Sequence, residues 1–322
     1  MPALQSQPHG PLLRALRAEY SGVRLHPITL TVSPGRCGTV FLHKLFSQHF
    51  FGQGEFLHES LSAHDAQPAI FFRCYDSQIQ EQMLTCPAIQ SELRRILELA
   101  RSQPVCEFGH YLISAVPVMY AIAPGAVRVL ALHRHPVQSA ASHAIKGHYV
   151  TNKSRMWAIT PTHERVFYPE YADRWEGMTA YEKELYRWMQ VTKYAIEIPD
   201  RLPGVHYKLV SSADMFGSTL LQADIAEFCG FPRPTIHGPQ TVSRNESTDF
   251  DRETRPIREE WRRTGDFIEV KTLADSLGYD MTDAAIEKMI SRYQAPRGVG
   301  VVLRRWTYYW YLRRWLANQR SR

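Results

Sequence analysis

Short runs of β-branched and apolar residues recur along the chain at Ile28–Val32, Ile70–Arg73, Val105–Phe108, Val127–Leu132 and Val205–Val210. Stretches with helical spacing of apolar positions separate them, at 39–49, 88–102, 111–122, 136–146, 179–197 and 214–229. Several of these open just after a Ser, Thr or Pro suited to a helix start. Strands alternating with helices in this way predict a parallel sheet covered on both faces. The expected fold class is therefore α/β, a three-layer doubly wound parallel sheet over residues 27–285. A segment at 1–26 precedes it, and a helical, aromatic and basic extension at 286–322 follows it.

Ligands of such sheets bind beyond the carboxyl ends of the strands, so the loops at 33–39, 56–60, 109–111 and 133–136 should converge. Residues 147–178 are aromatic and polar without clear periodicity, as expected of a lid or binding segment. Trp157, Tyr168 and Trp175 within it either line a pocket or pack.

Composition narrows the class. With 322 residues, 44% hydrophobic and 22% charged, the chain can bury a substantial core. The five cysteines, Cys37, Cys74, Cys86, Cys106 and Cys229, are scattered without a C-x-x-C pair, which indicates neither a disulfide scaffold nor a zinc site. No apolar run reaches the ~18 residues of a membrane span, and the first residues lack the apolar core of a secretion signal. A reducing, cytoplasmic setting is expected, with no metal.

The formal charge of +6 comes from one place. Residues 297–322 hold seven arginines and no acid, and without them the chain carries 31 basic against 32 acidic residues. A neutral body argues against nucleic acid as a partner. The tail mixes arginine with Trp and Tyr, which suits either peripheral contact with the inner face of a membrane or packing on the body or a partner subunit.

Two segments carry the chemistry. Ser33-Pro34-Gly35-Arg36-Cys37-Gly38-Thr39-Val40 follows an apolar strand and opens a helix, the setting in which backbone N–H groups and a helix N-terminus hold a phosphate. A nucleoside-triphosphatase loop would need Lys-Ser/Thr after the last glycine, and here Thr39 follows Gly38 with the cation earlier, at Arg36. Further on, the strand VRVLAL runs into His133-Arg134-His135-Pro136, with Ser142 eight residues past Arg134. A guanidinium and a hydroxyl so placed suit a second phosphate away from the first, and hence a bisphosphorylated nucleotide.

In this order and spacing, the two segments resemble the superfamily of sulfotransferases that use 3′-phosphoadenosine-5′-phosphosulfate (PAPS). Weaker likenesses follow in GVHYKLV, DIAEFCGFP and LADSLGYD. The resemblance implies transfer of a sulfuryl group from PAPS to an acceptor hydroxyl or amine, on a small molecule, lipid or glycan, leaving adenosine 3′,5′-bisphosphate. It places Gly35, Arg36, Cys37, Gly38, Thr39 and Val40 around the phosphosulfate and Arg134 with Ser142 at the 3′-phosphate. Phe41 and Tyr207 fall near adenine, with core packing the alternative for Phe41.

The resemblance also orders the candidates for the general base. Glu59, in Phe56-Leu57-His58-Glu59-Ser60, stands where some relatives place a catalytic glutamate, with His58 as orienting neighbour or alternate base. His110 competes, at the end of the strand VCEFG and 24 residues before Arg134. Glu107 and Asp76 read as structural. Two other classes share the scaffold: a nucleotide-dependent phosphotransferase, which lacks its lysine and magnesium carboxylate here, and a non-catalytic nucleotide-binding, membrane-associated protein.

Overall fold

A computed structural model describes residues 10–61, 77–110, 112–144, 149, 159–162, 166–235 and 257–291. The strands are β1 (Ile28–Val32), β2 (Glu55–Leu57), β3 (Val105–Glu107), β4 (Val127–His133) and β5 (His206–Ser211). They form one sheet in the order β2-β3-β1-β4-β5, and every pair is parallel. The helices are α1 (Pro11–Glu19), α2 (Thr39–His49), α3 (Ser77–Leu84), α4 (Pro87–Leu99), α5 (Val116–Ile122) and α6 (Pro136–Ala144). After these come α7 (Ala180–Arg201), α8 (Ser212–Gly217), α9 (Thr219–Phe228), α10 (Ile257–Arg262), α11 (Ile268–Ser276) and α12 (Asp283–Ser291).

Period-two side-chain alternation sorts the strands between two hydrophobic layers. Ile28, Leu30 and Val32 of β1 join Val127, Val129 and Ala131 of β4 in the larger layer, with residues of α1, α4, α5, α6 and α7. Leu130 and Leu132 of β4 face the other way, onto Leu42, Leu45 and Phe46 of α2 and Ile225 of α9. Helices therefore cover both faces, and the three-layer α/β class expected from the alternation is the class observed. Local signals set several helix starts. Pro87 and Pro136 open α4 and α6, and Thr179 and Glu182 form a reciprocal capping box on α7.

The expected elements differ from the observed ones at a few places. The strand β2 falls where a loop was expected; three residues are too few for a period-two pattern to stand out. The helix expected over 214–229 is two helices, because Ser218 is extended and its hydroxyl accepts from the Leu221 amide, capping α9 anew. Leu13 and Leu16 of α1 are fully buried in the larger layer, so the segment at 1–26 contributes to the same core. At the other end, α12 runs through residue 285 and buries Ile286 and Ile290. The strand expected at Ile70–Arg73, Asp76, Trp157 and the basic aromatic tail lie outside the described residues.

Candidate active site

Neighbouring strands β1 and β4 send the chain in opposite directions, β1 through α2 to the edge strand β2 and β4 through α6 and α7 to the other edge, β5. A crevice opens where connections part in this way. The loop 33–38 leaves β1 there, and Arg134 leaves β4.

Within the loop, Gly35, Arg36 and Gly38 have φ of +85°, +57° and +100°. The Ser33 hydroxyl accepts from the Gly35 amide at 3.0 Å. No side chain caps α2, and its first backbone acceptance is the Leu42 amide on the Gly38 carbonyl. The first-turn amides of Thr39, Val40 and Phe41 thus lack intrahelical partners, which makes this end suited to an anion. A side chain at Gly38 would displace the ends of the Met215 and Phe216 side chains, and its φ of +100° itself favours glycine. Cys37 is fully buried with its Sγ 3.1 Å from the Gly35 carbonyl, and burial pushes its thiol pKa up. Only the backbone of Cys37 is placed to meet a ligand.

Three long-range contacts hold the second segment against this loop. Arg36 Nε donates to Ser142 Oγ at 2.9 Å, and Arg134 Nη1 donates to the Arg36 carbonyl at 2.9 Å. The Ser212 hydroxyl lies 2.8 Å from the Cys37 carbonyl and 2.9 Å from that of His133, bridging the ends of β1 and β4. The side chains expected at two separate phosphates therefore meet directly: Arg36 and Ser142 touch, and Arg134 binds the loop backbone.

Supporting groups arrive from distant helices. Trp188 Nε1 donates to the Arg134 carbonyl at 2.9 Å. His143 Nε2 lies 3.0 Å from the Pro34 carbonyl and 3.1 Å from Arg187 Nη1. Ser212, Trp188, His143 and Arg187 were not singled out in the sequence, where none of them belongs to a local pattern. His133 Nδ1 and Tyr279 Oη are 2.7 Å apart, tying the end of β4 to the segment before α12. Burial holds the pKa of His133 and His135 below the ordinary imidazole value.

The acid–base candidates gather at the ends of β2 and β3. In the sheet register Leu57 lies opposite Glu107, which brings the residues after each strand together. Glu59 Oε1 is 3.4 Å from His110 Nδ1. Two residues read as rivals for one role are thus a pair. Both remain reachable, with side chains 35% and 15% exposed, which an acceptor's approach requires. His58 points elsewhere, its Nε2 3.4 Å from the hydroxyl of Thr39, the first residue of α2.

Both residues expected near adenine have contacts within the protein. Phe41 is buried and meets Phe216 edge-on, with ring centroids 5.0 Å apart. Tyr207 sits in mid-strand opposite Val129 and donates its hydroxyl to the Ala195 carbonyl at 2.9 Å, so it ties β5 to α7. Burial pushes its pKa up. Of the aromatics considered for a pocket, Trp175 packs edge-on against Tyr149 and Tyr186, and the Tyr168 carbonyl accepts from the Tyr186 hydroxyl.

No family model and no curated protein matches the chain. Solved structures do show likeness. A sulfotransferase from Alicyclobacillus acidocaldarius is 18% identical over 84% of this chain and 100% of its own, with a TM-score of 0.44. The sulfotransferase domain from the curacin biosynthetic pathway is 13% identical over 80% and 100%, with a TM-score of 0.42. A third similar structure, the sulfotransferase domain of the Synechococcus PCC 7002 olefin synthase, is 11% identical over 80% and 98%, with a TM-score of 0.43.

Proposed function

We propose that the chain is a sulfotransferase that moves a sulfuryl group from PAPS to an acceptor hydroxyl or amine. The observation that carries this reading is the meeting of the glycine loop with Arg134 and Ser142 at the ends of β1 and β4, where uncapped amides and two guanidinium groups face one crevice. The donor set is cationic and amide-rich, which fits a nucleotide bearing two phosphate groups.

PAPS supplies the activated sulfuryl group. Amides of Gly38, Thr39 and Val40 and the guanidinium of Arg36 would hold the 5′-phosphosulfate. Arg36 stays charged at any working pH, so it can neutralise the charge that grows on the departing phosphate oxygen. Arg134 and Ser142 would hold the 3′-phosphate once Ser142 exchanges its bond to Arg36 for one to the ligand. Glu59 takes the acceptor proton on a carboxylate oxygen, and His110 at 3.4 Å orients that carboxylate and shares the proton. The acceptor, a small molecule, lipid or glycan, approaches over the ends of β2 and β3.

Thermal melting with adenosine 3′,5′-bisphosphate tests the donor site. Ligand binding to the native state alone should raise the Tm of the wild type. Arg134→Ala should bind about 10–100-fold more weakly, the loss of one to two charge-assisted hydrogen bonds. An unchanged Tm in the wild type would reject the nucleotide reading, and equal shifts in both proteins would reject the role of Arg134.

A further inference from the structure

Beneath the Glu59–His110 pair lies a second carboxylate, Glu107, at the end of β3. Only 2% of it is exposed. One oxygen, Oε1, accepts from two amides: Gly109 at 2.6 Å and Glu59 at 3.0 Å. The first belongs to the residue before His110, and the second to Glu59 itself. A single buried oxygen thus grips the backbone beneath both members of the pair, across the junction of two strands.

The surroundings fit such a grip. Glu59 has φ of +54°, a left-handed conformation that a non-glycine residue adopts only when its surroundings enforce it. Gly109 has no room for a side chain, since a Cβ there would collide with Glu107 Oε1 and with the Glu59 amide. The Ser60 hydroxyl approaches the carboxylate without completing a hydrogen bond. Burial raises the Glu107 pKa, and the amides and the Ser60 hydroxyl offset part of that rise. A carboxyl group kept in so costly a place, when an apolar residue would fill the volume, calls for a role that uses its oxygen.

We propose that Glu107 is the positioning residue of the acid–base pair: it holds Glu59 in its left-handed turn and Gly109 against it, so that the Glu59 carboxylate stays within reach of His110. The inference rests on the reading of Glu59 as the proton acceptor. Glu107 does not touch the acceptor or the donor; it acts through the backbone amides of Glu59 and of Gly109, the residue before His110.

The test uses the full chain, with PAPS and adenosine 3′,5′-bisphosphate as probes and release of the bisphosphate from PAPS in water as the rate. Glu107→Ala should lower kcat by about 10²-fold, the scale of a misplacement near 1 Å, while bisphosphate affinity is unchanged. Glu107→Gln keeps a carbonyl oxygen for the two amides and should recover most of that loss. Gly109→Ala, which keeps the Glu107 side chain but drives a Cβ against its Oε1 and against the Glu59 backbone, should reproduce the loss and serves if Glu107→Ala fails to fold. Crystal structures of the variants give a readout independent of turnover. Glu59 should leave positive φ and part from His110 in Glu107→Ala and Gly109→Ala, and stay in Glu107→Gln. A Glu59–His110 contact preserved in Glu107→Ala or Gly109→Ala would overturn the proposal. So would a Glu107→Gln variant as slow as Gly109→Ala. Absence of bisphosphate binding by the wild type would instead reject the sulfotransferase reading, leaving the structural arm to decide the clamp.

Discussion

The two halves of the crevice are built by different means. At β1 the loop of the proposed anion cradle is made of consecutive residues, with its shape set by Gly35, Arg36 and Gly38 at positive φ, and Arg134 and Ser142 join it from beyond β4. At β2 and β3 the acid–base pair consists of two side chains 51 positions apart, Glu59 and His110, joined only by strand register and a buried carboxylate. The loop of the cradle carries its shape in its own backbone, whereas the pair borrows its geometry from the sheet. A local device should therefore fail by local strain, and a register-built one by small displacements that leave the fold intact.

The largest expected effect lies on the register-built side. Glu59→Gln removes the proposed proton acceptor and should lower PAPS turnover by about 10²–10⁴-fold, with bisphosphate binding unchanged. His110→Ala, which takes away only the partner 3.4 Å away, should lose less. Steady-state rates of both variants, measured with the same acceptor, check the assignment. A deeper loss in His110→Ala would exchange the two roles.

On the cradle side the expected effect is one of stability. Gly38→Ala forces a side chain to φ of +100° and into Met215 and Phe216, which should cost about 1–3 kcal/mol. Gly22 offers the contrast, with φ of +74° but open space around it, so Gly22→Ala should cost less. Urea unfolding of the two variants separates the terms. Equal losses would mean that φ alone, and not the close approach of α8, demands glycine in the loop.

The smallest effect concerns pH. Glu107 has its pKa raised by burial, so the folded state holds its proton more tightly than the unfolded chain does. Its contribution to stability is then full below the ordinary carboxylate range and is lost as pH rises through the raised value. Glu107→Gln cannot titrate. Its Tm relative to wild type should therefore become more favourable as pH is taken from the acid side of that range to neutrality, and a flat difference would remove the desolvation argument.

Legibility in the sequence followed the same division. Strands β1, β3 and β4 were readable because burial on both faces leaves nearly unbroken β-rich runs, the partly exposed edge strand β5 from its β-branched and aromatic residues, and the helix α2 because glycines and Thr39 punctuate one loop. Convergence of the loops at 56–60 and 109–111 was expected, but the direct pairing of Glu59 with His110 was not, since it depends on β2, whose three residues leave no periodic trace. Tyr207 and Phe41 illustrate the converse. Motif likeness put both beside adenine, and the structure adds contacts that likeness does not give: the Tyr207 hydroxyl on the Ala195 carbonyl and the Phe41 ring against Phe216.

By itself the sequence determined the α/β class, the position of the glycine loop after β1, and the side chains available for anion and proton chemistry, because these depend on local periodicity, backbone freedom and residue type. Only the tertiary structure decided which of those side chains meet. Arg36 touches Ser142 across 106 positions, and Glu59 shares one buried oxygen with Gly109, because the order and register of parallel strands bring distant loops to one edge of the sheet. Contacts of that kind arise from the packing of whole elements, to which no short stretch of sequence answers.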